Sequence, residues 1–272
     1  MANRTIANKN TTLSSALAGL SAGDDAYINL YSTEFINGDI SGTALKSVTL
    51  TAGFSGKFVP GTPLKIDLSS GSPKRLANYS NAANVDVAST SSAGVIDEII
   101  HNPAGGGPMR VNTCVTTKVY VLNGSLELAA EVDLSAALVE VTGGSMRALT
   151  ISGGGTALAT LTVGGTGIAE MLRDVTTVNV EGGGTAKLSD ASCSPTTVNM
   201  RGGTLQVNEC SGIGTLQGGS GVIDLRNNKT PFTVTTRALG PGVTILRSPS
   251  TIDPTYTSTS GDYGGGPQIR TQ

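Results

Sequence analysis

A motif of about 20 residues, with the pattern V-x-V-x-G-G, returns along the second half of this chain and limits what it can fold into. Val119-Tyr-Val121 runs through Asn123-Gly124 to Leu126-Glu-Leu128, and Val139-Glu-Val141 runs through Gly143-Gly144 to Met146, then Leu149-Thr-Ile151. Leu161-Thr-Val163 leads through Gly164-Gly165 to Ile168, and Val178-Asn-Val180 through Gly182-Gly183-Gly184 to Ala186-Lys-Leu188. Val198-Asn-Met200 leads through Gly202-Gly203 to Leu205-Gln-Val207, and Leu216 through Gly218-Gly219 to Val222-Ile-Asp-Leu225. The first five copies start 20, 22, 17 and 20 residues apart.

Each copy alternates apolar and polar residues with period two, so one face of each strand is buried and the other wet. A copy of this length has no core of its own, but copies stacked in register bury their Val, Leu and Ile in a continuous column. The expected fold is therefore all-β, a β-solenoid whose coils pair at about 4.8 Å, with Gly pairs at the corners. The first half keeps the same beat less cleanly, with strands expected at Ala26–Leu30, Ser47–Thr51, Leu64–Leu68 and Asn84–Val87. Between Ala88 and Asn112 the register is lost. Val95–Ile100 reads as a strand, and Asn102–Pro108 as a loop projecting from the stack. The count comes to about 11 or 12 coils, a rod roughly 50–60 Å long at the strand spacing.

Composition fits a core filled by small side chains. There are 37 Gly, four Phe, six Tyr and no Trp among 272 residues, with 38% hydrophobic and 14% charged. Charge-driven disorder is disfavoured at so low a charge content. No apolar run reaches the roughly 18 residues of a membrane span. The 18 Lys and Arg are scattered among 20 Asp and Glu, so nucleic acid has nothing to draw it. Arg4 and Lys9 precede Leu13–Ala22 as in a signal peptide, but Ser14, Ser15, Gly19 and Ser21 break the apolar run. The expected compartment is a cytosol that keeps thiols reduced.

Ahead of the first strand, Leu13, Ala16, Leu17 and Leu20 share one helical face, Thr12 can cap its start and Gly23 its end. Such a helix would close the open end of a solenoid. Helix, then Gly23-Asp24-Asp25, then an alternating strand resembles the opening of right-handed parallel β-helix proteins, including pectate-lyase-like folds and phage tailspikes. The start Met-Ala-Asn-Arg-Thr, the Gly-Asp-Asp strand and the V-x-V-x-G-G coils are more similar still to Gly- and Thr-rich solenoids of phage and prophage virions, some of them capsid decoration (cement) proteins. Many of those relatives carry a Trp-rich N-terminal segment, which this chain lacks. The resemblance implies a right-handed parallel β-helix, a role in the virion, docking on the major capsid protein and assembly as a homotrimer.

A β-helix can also be an enzyme, and polysaccharide-cleaving members set two carboxylates together on one face. Stacking the repeats places Tyr120, Glu140, Thr162, Asn179 and Asn199 in one outward column and Glu127, Arg147, Lys187, Gln206 and Asp224 in another. Neither concentrates carboxylates beside a cation, although Glu181 and Asp190 could meet across a turn. Between Tyr120 and Phe232 there is no Phe, Tyr, Trp or His, so a central glycan groove is not expected. Cys114, Cys193 and Cys210 fall at one slot of the coil and read as stacked, buried corner residues, with a reactive thiol or a Cys193–Cys210 disulfide as alternatives. The Gly runs Gly153–Gly155 and Gly182–Gly184 fit no phosphate-binding loop. Asp190 and Asp224 do not supply the Asp of a calcium nonapeptide repeat. Asp24-Asp25 reads as a loop rather than a cation site, and His101 as a surface residue beside the Pro-Gly loop.

The sequence thus predicts an N-terminal arm and cap helix over 1–23, a β-helix over 24–246 that is irregular to about 112 and regular over 113–246, and a C-terminal tail over 247–272. The Pro-, Thr- and Gly-rich tail cannot pack alone; it is expected either disordered or as an arm ordered on a neighbouring subunit. The expected function is a non-enzymatic capsid decoration protein with no cofactor, metal, membrane or nucleic-acid partner. Its capsid contacts are expected in the irregular N-terminal region, Asn102–Pro108 and the tail. The alternative is a tail-fibre or tailspike segment that binds or cleaves a host surface glycan.

Overall fold

The structure, a computed structural model, describes residues 4–6, 21–29, 35–36, 39–40, 44–55, 57–58, 64–66, 68, 73–82, 85–89, 94–105, 107–112, 114–149, 157–228, 230–258 and 261–272. It is all-β, with parallel strands stacked as a β-solenoid of about 10 turns and no helix among the described residues. The cap helix expected ahead of Gly23 lies outside those residues. The chain divides into two units, Met1–Ala136 and Ala137–Gln272.

In the C-terminal unit the repeat positions become the register of the stack. Val139 pairs with Leu161, Leu161 with Val178, Val178 with Val198 and Val198 with Leu216, and all five are buried. Val141, Val163, Val180 and Met200 form the next inward column. Past the glycine corner a second face stacks Met146, Ala169, Ala186, Leu205 and Ile223, again buried. Apolar columns on two faces enclose the core, and a continuous parallel ladder satisfies the backbone.

The corner needs glycine for a reason visible in its geometry. Gly183 has φ of 82°, and a Cβ there would lie 2.3 Å from the carbonyl oxygen of Gly165 in the preceding coil. No other residue type can turn the chain that close to its neighbour. Ile168 departs from expectation: it is 40% exposed, while Ala169 and Met171 point inward. The pleat has period two, so seating Met171 beside Ala148 and Leu188 forces Ile168 outward.

The N-terminal unit follows the same plan with longer coils. Its first face stacks Ala26, Val48, Leu76, Ile99 and Val119, and two residues further on Ile28, Leu50, Asn78, His101 and Val121. Leu64–Ile66 and Val85–Ser89, expected as successive coils after Ser47–Leu50, instead lie on the second face with Pro108–Val111 and Ser125–Leu128. The first-face strand between them, Arg75–Asn78, escapes a pattern search because Arg-Leu-Ala-Asn lacks alternating large apolar residues. Nor is the register lost between 88 and 112, since Val95–His101 pairs on one side with Arg75–Asn78 and on the other with Cys114–Val121.

In the Asn102–Pro108 loop, Asn102–Ala104 do not project. Asn102 N donates to Asn78 O at 2.9 Å, Ala104 N to Tyr79 O at 3.3 Å, and Asn123 Nδ2 to Pro103 O at 3.0 Å. These residues form a corner held between the corners on either side of it. The tail from Arg247 does not stand apart from the stack, as a disordered end or an arm on another subunit would. Thr255–Ser258 and Gln268–Thr271 both pair with Thr233–Arg247 and add a further coil. An ion pair adds to this backbone pairing. Arg237 donates to both oxygens of Asp262, at 2.6 and 3.3 Å, and its guanidinium lies 4.3 Å from the centre of the Tyr256 ring. Asp262 also accepts the amide of Leu239 at 3.0 Å.

Candidate functional site

The outward faces are where chemistry would have to reside, and their side chains are largely spent on one another. On the first face of the C-terminal unit, Glu140, Thr162, Asn179, Asn199 and Gln217 stand in register. Asn179 Nδ2 donates to Thr162 Oγ1 at 3.2 Å, Asn199 Nδ2 to Asn179 Oδ1 at 2.8 Å, and Gln217 Nε2 to Asn199 Oδ1 at 2.7 Å. This amide ladder runs in one direction along the stack. It ends where Gln217 meets Ala238, a residue with no side-chain polar group.

The second face carries alternating charge. Arg147, Glu170, Lys187, Gln206 and Asp224 are in register, with Arg147 and Glu170 paired at 3.1 Å. Glu170 is absent from the column read off the sequence, because the apolar Ile168 suggests the opposite parity for that strand. Tyr120 and Glu127 belong to the N-terminal unit, where Tyr120 pairs with Ile100 and Glu127 with Arg110, the latter an ion pair at 3.2 Å. There Glu98 lies between Arg75, at 2.6 Å, and Lys118, at 4.0 Å. Opposite charges on adjacent strands stabilise a sheet modestly and leave little residual field.

Glu181 and Asp190 do not act as a pair. Glu181 faces Arg201 at 4.0 Å, and Asp190 accepts the amide of Ser192 at 2.8 Å. Asp224 is gripped by Arg226 at 2.9 Å, and that hydrogen bond holds its carboxyl below the usual carboxylate range. Arg237 and the Leu239 amide do the same for Asp262, overcoming the opposing effect of burial. Asp25 accepts the hydroxyl of Ser47, and Asp24 accepts the amide of Ser21 at 2.9 Å, as a loop role requires. Among the described residues no three His, Cys, Asp or Glu are grouped to hold a metal ion.

The three cysteines are free and buried. Cys193 Sγ donates to Arg173 O at 3.2 Å, and Cys210 Sγ to Cys193 O at 3.1 Å, so adjacent coils stack their thiols at the corner. Burial pushes the thiols of Cys114 and Cys193 up to about 12 and that of Cys210 to about 11, far from the reactive range.

His101 is not a surface residue. It is fully buried, one position in the inward column between Asn78 and Val121. Its Nδ1 meets Asn78 Nδ2 at 3.3 Å, while Asn78 Oδ1 accepts Ser80 Oγ at 2.6 Å and Ser80 N at 3.0 Å. The amide is thereby oriented with its NH2 toward the ring, so Nδ1 is the acceptor and Nε2 carries the hydrogen. Nε2 has no well-formed hydrogen bond, and burial lowers the pKa to about 4, only partly offset by the carbonyl of Ser125. The signal was legible in Ile99-x-His101, which aligns with Val119-x-Val121.

The described residues of the C-terminal unit surround hollows on its surface. One of about 340 Å³ is bounded by Asn199, Arg201, Gln217, Gly219, Ala238 and Tyr263, and another of about 290 Å³ by residues that include Ser194, Thr196, Ile213 and Thr233. No carboxylate is among the described residues that line either. Tyr263, in the tail, escapes a search confined to the regular coils. Fold and faces together define the class as a parallel β-solenoid with self-paired outer columns. No family model, curated protein or solved structure matches the chain.

Proposed function

We propose that this chain is a non-enzymatic structural protein of a phage virion, a capsid decoration protein that docks on the major capsid protein and stiffens the head. The supporting observation is how the outward side chains are used. Asn179, Asn199 and Gln217 bond along their column, and Arg147–Glu170 and Arg110–Glu127 pair along theirs. Such groups hold coil to coil, whereas glycoside cleavage needs two carboxylates set across a bound substrate. The virion assignment rests on the resemblance of the Met-Ala-Asn-Arg-Thr start and the V-x-V-x-G-G coils, as does the homotrimer. Mechanically, a stack of hydrogen-bonded coils resists extension, so a copy spanning a junction between capsomers opposes their separation.

Adding purified protein to heads that lack it tests the reading by electron microscopy. New density at capsomer junctions, with heads surviving harsher heat or dilution, is expected. Heads whose junction density is the same with and without this chain refute it. Depolymerisation of host polysaccharide by the purified chain would favour the tailspike reading instead.

A further inference from the structure

We propose that the hollow of about 340 Å³ on the C-terminal unit is a saccharide-binding site, with the Tyr263 ring as its floor. The tail creates this site by laying Tyr263 across two glycines. A Cβ at Gly240 would come within 2.6 Å of Tyr263 Cε2, and one at Gly219 within 3.2 Å of its hydroxyl. The hydroxyl end of the ring therefore lies against bare backbone, and the residue remains half exposed, at 51%. An aromatic ring fixed against backbone at one end and half open to solvent offers a surface for the apolar C–H face of a pyranose ring.

Polar groups around this floor have capacity left. Gln217 spends its Nε2 on Asn199, but the ladder stops at Ala238, so its Oε1 is an acceptor with no partner among the described residues. The Tyr263 hydroxyl makes no hydrogen bond among them either. Arg201 is 69% exposed and touches Glu181 only at 4.0 Å, leaving most of its five N–H donors for a ligand. A flat apolar floor ringed by one acceptor, one hydroxyl and one donor fork matches the alternating hydroxyls of a sugar. The volume is at the lower end of the roughly 300–1,000 Å³ of small-molecule sites and suits one or two sugar units.

A nucleobase offers a similar flat face. Its phosphate, however, would find one cation here, already facing Glu181, in a chain of net charge −2. With no carboxylate among the described residues that line it, the site is one for binding rather than cleavage. It does not depend on the virion reading, and capsid binding of the same variants is scored separately.

Saturation-transfer NMR tests this with methyl α-D-glucoside, methyl β-D-galactoside, N-acetylglucosamine, D-glucuronate and AMP as separate probes. Ring protons of at least one sugar are expected to receive saturation from the wild-type protein. Tyr263→Ala should weaken that binding about threefold to tenfold. Tyr263→Phe should keep most of it, and Gln217→Ala, which also gives up the bond to Asn199, should weaken it with the protein still fully folded at the assay temperature. Ser194→Ala, in the other hollow, should have no effect. The proposal is overturned if no sugar gives a signal, if only AMP does, or if Tyr263→Ala and Gln217→Ala bind as the wild type does.

Discussion

Acidification from pH 7.5 to pH 4 is expected to destabilise the N-terminal unit through His101. In the unfolded chain this imidazole has its ordinary pKa of 6.5, whereas in the folded chain burial lowers it to about 4. Above pH 6.5 the ring is neutral in both states and contributes no pH dependence. Below 6.5 the unfolded state takes up a proton that the folded state refuses, so stability falls with pH until about 4 and then levels. At about 1.4 kcal/mol per pH unit the loss over that window is about 3 kcal/mol.

The geometry explains the refusal. A proton on Nδ1 would face the NH2 of Asn78, and Asn78 cannot turn its oxygen to the ring while Ser80 N and Oγ hold it. Urea unfolding at a series of pH values, compared between wild type and His101→Val, isolates this side chain from the carboxylates common to both. Valine suits the column, since Val121 occupies the next position in it. The variant should lose the slope between pH 6.5 and 4. Because the chain has one His, its imidazole NMR signals need no assignment by mutation. A titration midpoint near 6.5 in the folded protein, or equal slopes in wild type and variant, would refute the reasoning.

Asp262→Ala should free the final coil at a cost of about 1.5–3 kcal/mol, the range for hydrogen bonds to charged groups, read as faster amide exchange over 255–271 with the earlier coils still protected. Since its carboxyl is held low in the folded state, the same contact should persist above the ordinary carboxylate pKa and fail as pH falls through the depressed value. Gly183→Ala should lower stability by about 2 kcal/mol or more in thermal unfolding, because φ of 82° and the Gly165 carbonyl both exclude a Cβ. Reversing the exposed pair Arg147–Glu170 one residue at a time should cost under about 1 kcal/mol, with a double-mutant cycle recovering most of it. Cys114, Cys193 and Cys210 should resist a disulfide reagent in the folded protein and react together on unfolding, given thiols raised to about 12, 12 and 11.

The repeat alone determined the architecture. Period-two alternation sets which side chains face inward, and the Gly corners set where each coil turns. In a stack every coil repeats the same choice, so Val139, Leu161, Val178 and Val198 could be aligned without knowing their coordinates. Legibility failed wherever the chemical character of a residue contradicted its position. His101 fills a core position that a polar side chain does not advertise, and Ile168 sits outside because Met171 had to sit inside. Arg75–Asn78 completes a face that its own pattern does not announce. Tertiary structure alone decided the fate of the tail. A salt bridge across 25 residues, Arg237 to Asp262, has no local signature, yet it joins the last coil to the one before it, next to Tyr263 on the two glycines. Local patterning is read one strand at a time, whereas contacts between coils depend on how many residues each intervening corner consumes, and only the folded chain settles that number.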